Sequence, residues 1–397
     1  MLRDLFPRHH ARYERCLFAE DLDAFASWLH ERGYSRHSAR GHVFRLKQTL
    51  ARIDRVSSGA TFTSDELEQA FAGGGDPVLY RATQRAFQQF LKPLGRLIET
   101  EAEGRFSVLR RGYRLFLEEM RGLAAATIQQ HEGTVAELLS SVTDLDRLSS
   151  ATVEQYLLAK SKLVRKQTLQ HIVAHLRAFL RYCHDHGVVG QRLDAIDTPR
   201  TYRDELPPRA LDWKLVQALL ASVDRRDRTG WRDYAILHLM AHYGLRPSEI
   251  VTLKLSAIDW TAQTLAVEQR KTRSALVLPL GDRTVHILRK YLHRGRPPSD
   301  HPELFLRARS PAGPLRHYAV LNVFEKRARL SGLPLAGSSS YCLRHAFAMR
   351  LLKRGVGVKA IGDLLGHHSL EATCVYLRVD TDMLREVALP VPVLARV

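Results

Sequence analysis

Hydrophobic positions in the first half of the chain recur at the three-to-four-residue interval of an α-helix, and they do so in two similar runs. Phe87, Phe90, Leu91, Leu94, Leu97 and Ile98 are spaced i, i+3, i+4, i+7, i+10, i+11. Leu169, Ile172, Val173, Leu176, Phe179 and Leu180 repeat that spacing without a gap. Each run predicts one apolar stripe along a helix. Upstream, Leu46, Leu50 and Ile53 correspond to Val135, Leu139 and Val142. Similar lead-ins, GYSRHSAR at 33–40 and GLAAATIQ at 122–129, come before them. Segments agreeing in the same order point to two tandem helical bundles, over 18–98 and 105–190. The bland alternative is that any two amphipathic helices share such spacing. Pro93 interrupts the first copy and, lacking an amide hydrogen, should kink or end its last helix.

The pattern breaks at 190–210, GQRLDAIDTPRTYRDELPPRA, a polar, charged stretch closing on Pro207-Pro208 that reads as an extended linker. After it, Asp212 is placed to cap a helix carrying Leu215, Val216, Leu219 and Leu220. A second helix carries Ile236, Leu239, Met240 and Tyr243, and Gly244 is placed to end it. Then the period changes. TLAVEQ (264–269) and SALVLPL (274–280) read as two short strands joined by RKTR, and helical spacing returns from Thr284. The expected fold is multidomain and mainly α, with a small antiparallel sheet in the C-terminal half. The expected domains are an N-terminal helical unit over 1–100, a second over 101–195, a linker over 196–210 and a C-terminal domain over 211–397.

Charge narrows the class of partner. Lys plus Arg outnumber Asp plus Glu by 60 to 42, for a net charge of +18 and a pI near 10.0. Such a surplus suits a polyanion, with nucleic acid the first choice and a membrane surface the rival. No apolar run reaches the length of a spanning helix, and the N-terminus lacks the pattern of a signal peptide, so a cytoplasmic protein is expected. Cys16, Cys183, Cys342 and Cys374 lack metal-site spacing and read as free thiols. Arg165, Lys166, Arg177 and Arg181 in the second bundle are, as a set, candidates to reach DNA phosphates. Taken singly, each reads as a solvated surface charge.

Cutting DNA without a metal makes specific demands. Attack on a phosphodiester builds charge on two non-bridging oxygens, which the planar fork of arginine can meet with paired hydrogen bonds. The leaving 5′ oxygen needs a proton, for which lysine or histidine can serve. The nucleophile must keep the bond energy as an ester, and tyrosine, with a phenol pKa near 10, is a good leaving group on return. The C-terminal half offers such a set. YGLRPSEIVTL (243–253) places Arg246 before Pro247, hence on a turn between helices. YCLRHAFAMRLL (341–352) carries Arg344 and His345, and LGHHSLEATCVYLRV (365–379) carries His367 and Tyr376. His238 and His242 stand at i, i+4 but without the glutamate of a zinc protease, so they read as a helix face and no metal is expected.

These four segments together resemble the tyrosine recombinase (phage integrase) family. The resemblance implies helical SAM-like core-binding bundles and a mixed α+β catalytic domain, as in DNA breaking-rejoining enzymes. GLRPSEI implies Arg246 as the first catalytic arginine, with Glu249 supporting it. EQRKTRSALVLPL implies Lys271 as the acid that protonates the leaving 5′-hydroxyl. LRHAFAMRLL implies Arg344 as the second arginine, with His345 a neighbouring helix residue. The closing segment implies His367 as a supporting hydrogen-bond donor and Tyr376 as the nucleophile. In this family a histidine or lysine usually stands three residues before the second arginine; here it is Tyr341, which can donate a hydrogen bond but is a poor base. Slower chemistry is expected, and Tyr341→His should leave cleavage intact or faster.

By the same resemblance, the partner is double-stranded DNA with specific recombination sites, bound by four protomers across two sites. Accessory DNA-bending or partner recombinase proteins belong to that picture, and no cofactor does. The tail from Asp380, with VALPVPV, would pack on a neighbouring protomer. The competing functions are a non-catalytic or weakly active DNA-binding relative and a topoisomerase-like enzyme that relaxes DNA.

Overall fold

The apolar stripes become buried helix faces, with one exception. The computed structural model describes residues 1–53, 58–98, 106–145, 148–198, 210–269, 274–309, 313–367 and 369–377. By backbone proximity the chain divides into two compact units. One comprises Met1–His10, Asp23–Val43 and Leu206–Val397; the other comprises Ala11–Leu22 and Phe44–Glu205.

The N-terminal half contains α1 (Leu2–Leu5), α2 (Ala11–Glu14), α3 (Ala19–Glu31), α4 (Arg36–Leu50), α5 (Ser64–Ala72) and α6 (Pro77–Leu91). Thr63 and Glu66 form a capping box on α5. Asp76 caps α6, with Pro77 in the first turn, where its missing N–H costs nothing. The predicted stripe from Phe87 to Ile98 is corrected here. Phe87, Phe90 and Leu91 are buried, but the helix ends at Leu91, and a 3₁₀ turn over Lys92–Leu94 leads to left-handed Gly95. Leu94 and Ile98 are therefore exposed. Leu97–Ile98 form β2, which pairs in parallel with β1 (Phe62–Thr63). Pro93 acts as expected, and the partner strand 35 residues upstream is what local spacing cannot reveal.

The second run keeps its whole length. The helices here are α7 (Ser107–Leu115), α8 (Ala125–Ser140), α9 (Ser150–Ser161) and the twenty-residue α10 (Lys166–Asp185). Val173 is buried, and Leu176, Phe179 and Leu180 of α10 share a core with Val135, Leu138 and Leu139 of α8 and Tyr113 of α7. Each such side chain contributes roughly 1.5–3 kcal/mol through burial. The expected linker falls mostly on 199–209, outside the described residues.

The C-terminal half holds α11 (Trp213–Ala221), α12 (Gly230–Tyr243), α13 (Pro247–Thr252), β3 (Ile258–Asp259), β4 (Thr264–Gln269), β5 (Ser274–Pro279), α14 (Asp282–Arg294), α15 (His317–Ser331), α16 (Tyr341–Leu352), α17 (Val358–Leu365) and α18 (Glu371–Cys374). Asp212 caps α11 by accepting from the Lys214 amide. The expected strand pair forms an antiparallel sheet in the order β3-β4-β5, with Leu265 opposite Leu278 and Val267 opposite Leu276. The two-residue β3 went unpredicted, being too short to show a period of two.

Helix α12 is the spine of this half, with Ile236, Leu239 and Met240 fully enclosed. Its buried Asp233 accepts from Arg327 of α15 (Nε, 2.8 Å) and from Arg232 (Nη2, 2.8 Å), so a carboxylate without solvent is matched by two guanidiniums. A smaller apolar cluster joins Ala348, Met349 and Leu352 of α16 to Ile361 and Leu365 of α17 and to Tyr376. No helix among the described residues is long and apolar enough to cross a membrane.

Candidate active site

Two left-handed glycines set the frame. Gly244 ends α12 at φ +64°, where a Cβ would stand 2.6 Å from Phe347 Cδ1 and 2.8 Å from Leu365 Cδ2. Gly366 ends α17 at φ +61°, and a Cβ there would overlap the Gln269 side chain at 1.6 Å. Both positions need the backbone freedom and the missing side chain of glycine. Their carbonyls hold the two arginines. The Gly244 carbonyl accepts from Arg344 Nη1 at 2.5 Å, and the Gly366 carbonyl accepts from Arg246 Nη2 at 3.3 Å.

Arg246 stands where its proline neighbour implies, in extended conformation (φ −74°, ψ 151°) between α12 and α13. Glu249, 4% exposed, accepts the Arg246 amide on Oε2 at 2.7 Å and Arg246 Nη1 on Oε1 at 2.6 Å. One carboxylate thus fixes both the backbone and the head group of Arg246. Arg344, on α16 and 6% exposed, also donates Nη2 to the Leu365 carbonyl at 2.6 Å. Burial, and then the like charge of Arg246, push its pKa down to about 10, so it remains a cation at neutral pH. Two guanidiniums close enough to repel, each with N–H groups to spare of its five, form a place that an anion would stabilise.

Tyr376 lies beside them, 3% exposed with its ring in the α16–α17 cluster. Burial raises its phenol pKa, while the charges of Arg344 and Arg246 pull the other way. Its hydroxyl meets His345 Nδ1 at 3.0 Å. His367 shares a 2.7 Å hydrogen bond through Nδ1 with Thr373 Oγ1, and the Thr373 carbonyl accepts the Tyr376 amide at 3.0 Å. His367 therefore braces the turn that carries Tyr376. Tyr341 opens α16, 41% exposed, one turn before Arg344 on the same helix.

The structure thus gathers Arg246, Glu249, Arg344 and Tyr376, with Tyr341 and His367 at the margin. Lys271 lies outside the described residues, which resume on either side of it in β4 and β5. Of the four basic residues proposed for phosphate contact, Arg165 and Lys166 are exposed at the start of α10. Arg177 instead donates to the Ile196 carbonyl, and Arg181 donates to Asp194 Oδ2 at 3.1 Å. His238 shares a 2.9 Å hydrogen bond with Thr284 and stacks on His242 at 4.3 Å, within the contact of α12 with α14. No group of metal-binding side chains occurs among the described residues.

Sequence reasoning missed the part played by His345. A signal was present: positions 341, 344 and 345 are spaced i, i+3, i+4 and share a helix face. The two glycine carbonyls could not be foreseen, since motifs name side chains.

The profile described as "Phage integrase family" matches residues 209–383. A putative integrase/recombinase, y4rA, of Sinorhizobium fredii is 28% identical over 389 residues, covering 93% of each chain. Tyrosine recombinase XerC of Pelobacter propionicus is 30% identical over 289 residues, covering 70% of this chain and 92% of its own. Among solved structures, a lambda integrase tetramer bound to a Holliday junction superposes with a TM-score of 0.53 at 17% identity, over 76% of this chain and 87% of that one.

Proposed function

The chain belongs to the phage integrase family of tyrosine recombinases, and from that premise we propose that Tyr376 cuts DNA and holds it as a 3′-phosphotyrosyl ester. The observation that carries this reading is the grouping of Arg246, Arg344 and Tyr376 within reach of one another's charge, with Glu249 orienting the first arginine. In the proposed reaction the spare N–H groups of both guanidiniums meet the non-bridging oxygens as charge builds on them. Their mutual repulsion is relieved by the phosphate, so binding is strongest where the charge is greatest. The Tyr376 oxygen attacks phosphorus, the 5′ oxygen leaves with a proton from Lys271, and the ester stores the bond for rejoining without ATP or metal. His367 steadies the nucleophile's turn, and Tyr341 donates a hydrogen bond to a phosphate oxygen.

The partner is double-stranded DNA carrying specific sites, with phosphate contacts supplying most of the affinity. Arg165 and Lys166 are the better placed of the four candidates, because Arg177 and Arg181 are engaged within the chain. We assign the helical units over 1–100 and 101–195 to DNA binding, 196–210 to a linker and 211–397 to catalysis. Four protomers would act on two sites, as the lambda integrase tetramer on its Holliday junction suggests. Integration, excision or transposition of a DNA element in the cytoplasm, with accessory proteins setting direction, is the corresponding biology. The test is incubation with duplex DNA from the flanks of its gene, followed by denaturing gels. An SDS-stable protein–DNA adduct and two recombined products are expected. Relaxed circles alone would point to a topoisomerase, and no adduct would point to a DNA-binding relative.

A further inference from the structure

The Tyr376 phenol must lose its proton as its oxygen attacks, yet an ordinary phenol, with a pKa near 10, is almost wholly protonated at neutral pH. Burial raises this one further, against the pull of two arginines. A base touching the oxygen is therefore required. Among the described residues one side chain is hydrogen-bonded to that oxygen: His345, through Nδ1 at 3.0 Å. The rings sit 5.7 Å apart in a half-buried contact. With the proton on Nε2, the Nδ1 lone pair accepts from the phenol, the tautomer such a bond selects. Burial and the charge of Arg344 hold the imidazole below its usual pKa, so it is neutral and ready to accept. Arg344 is the charge that acts on it. Lys214 on α11, His242 on α12, and Lys359 and Asp363 on α17 belong to elements packed against or beside α16, and none bonds to it. Tyr341, one turn earlier on the same face, is itself a phenol and cannot take this role.

We infer that His345 is the general base for Tyr376, accepting the phenol proton on Nδ1 as the oxygen bonds to phosphorus. The phosphorus–O5′ bond breaks, and the leaving oxygen takes its proton from the general acid. On rejoining, the 5′-hydroxyl gives its proton back to the deprotonated general acid as its oxygen bonds to phosphorus, the phosphorus–phenol oxygen bond breaks, and the imidazolium returns its proton to the departing phenolate. No outside reagent is needed. The imidazole absent at position 341 is supplied one turn further along the helix.

This inference rests on Tyr376 being the nucleophile, and the experiment separates the two. Adduct formation is followed in single turnover on a nicked duplex of the flanking DNA that gives the unaltered protein's adduct, with protein saturating. His345→Gln keeps a hydrogen bond to the phenol but has no basicity. Its rate at neutral pH should fall about a hundredfold or more and should climb about tenfold per pH unit, where the unaltered protein is flat above the imidazole's titration. An unchanged rate and profile, or a loss equal at every pH, would overturn the role of His345 and leave the nucleophile standing. No adduct with the unaltered protein would remove both. A second measurement leaves α16 intact: fluorinated tyrosine, a more acidic phenol, is installed at 376. With a base in place the rate should change little; a rise of about tenfold per unit of phenol acidity would show that none acts.

Discussion

At the scale of single residues, the site is built so that each charge has a fixed partner. Arg344 spends two N–H groups on the Gly244 and Leu365 carbonyls, which leaves the rest of a planar fork aimed where it is held. Lysine keeps the charge but loses the fork. Arg344→Lys should therefore slow single-turnover adduct formation by about 10²–10³-fold, the loss typical of one transition-state donor, while DNA affinity changes only a fewfold. Equal losses in rate and affinity would mean that the residue binds DNA without favouring the transition state. The side chains at 246, 344 and 376 were legible because reactive groups sit in short, recognisable segments. The bracing of Arg246 by Glu249 was half legible, from its place three residues after Arg246. The contact between His345 and Tyr376 was not, since it joins residues 31 apart that only folding brings together.

At the scale of elements, α12 positions the site and carries a buried histidine, His238, and a half-buried one, His242. Burial is the first cause in both, holding His238 at about 3 and His242 at about 4, so both are neutral in the folded protein. In the unfolded chain they take up protons near pH 6.5. Between those values the unfolded state binds more protons, and stability falls as pH falls. Their contribution is complete above pH 6.5 and fades towards pH 4 and below. Thermal unfolding should accordingly shift to lower temperature from pH 7 to pH 4.5, and His238→Gln with His242→Gln should flatten that slope; an unaltered slope would put the acid sensitivity elsewhere. Asp227, held down to about 2 with Arg327 bonded to it, acts in a lower window and does not confuse the reading. Helix positions on this side were legible from spacing and from caps such as Asp212. Pro93 marked the end of α6, but the strand beyond it was not legible, because the stripe continued in sequence while Gly95 turned the chain into a parallel strand pair.

At the scale of the whole molecule, a charge of +18 makes association with DNA an electrostatic matter first. A chain that releases counterions from several phosphates should lose roughly a thousandfold or more in affinity between about 50 and 200 mM salt. Titration of a labelled duplex would check this, and affinity indifferent to salt would deny that phosphates dominate. Charge and composition made the class of partner legible, yet they say nothing of which bases are read, because that depends on side chains placed in a groove. Periodicity located the helices, but which of them group together depends on contacts far apart in sequence, and Asp23–Val43 falls in a unit with the C-terminal half. Every scale depends on the phenol at 376 becoming joined to DNA. The direct measurement is to trap the adduct, digest it with nuclease and protease, and identify the modified peptide by mass spectrometry. A nucleotide phosphate on Tyr376 is the predicted result; the same mass on any other tyrosine would contradict the account.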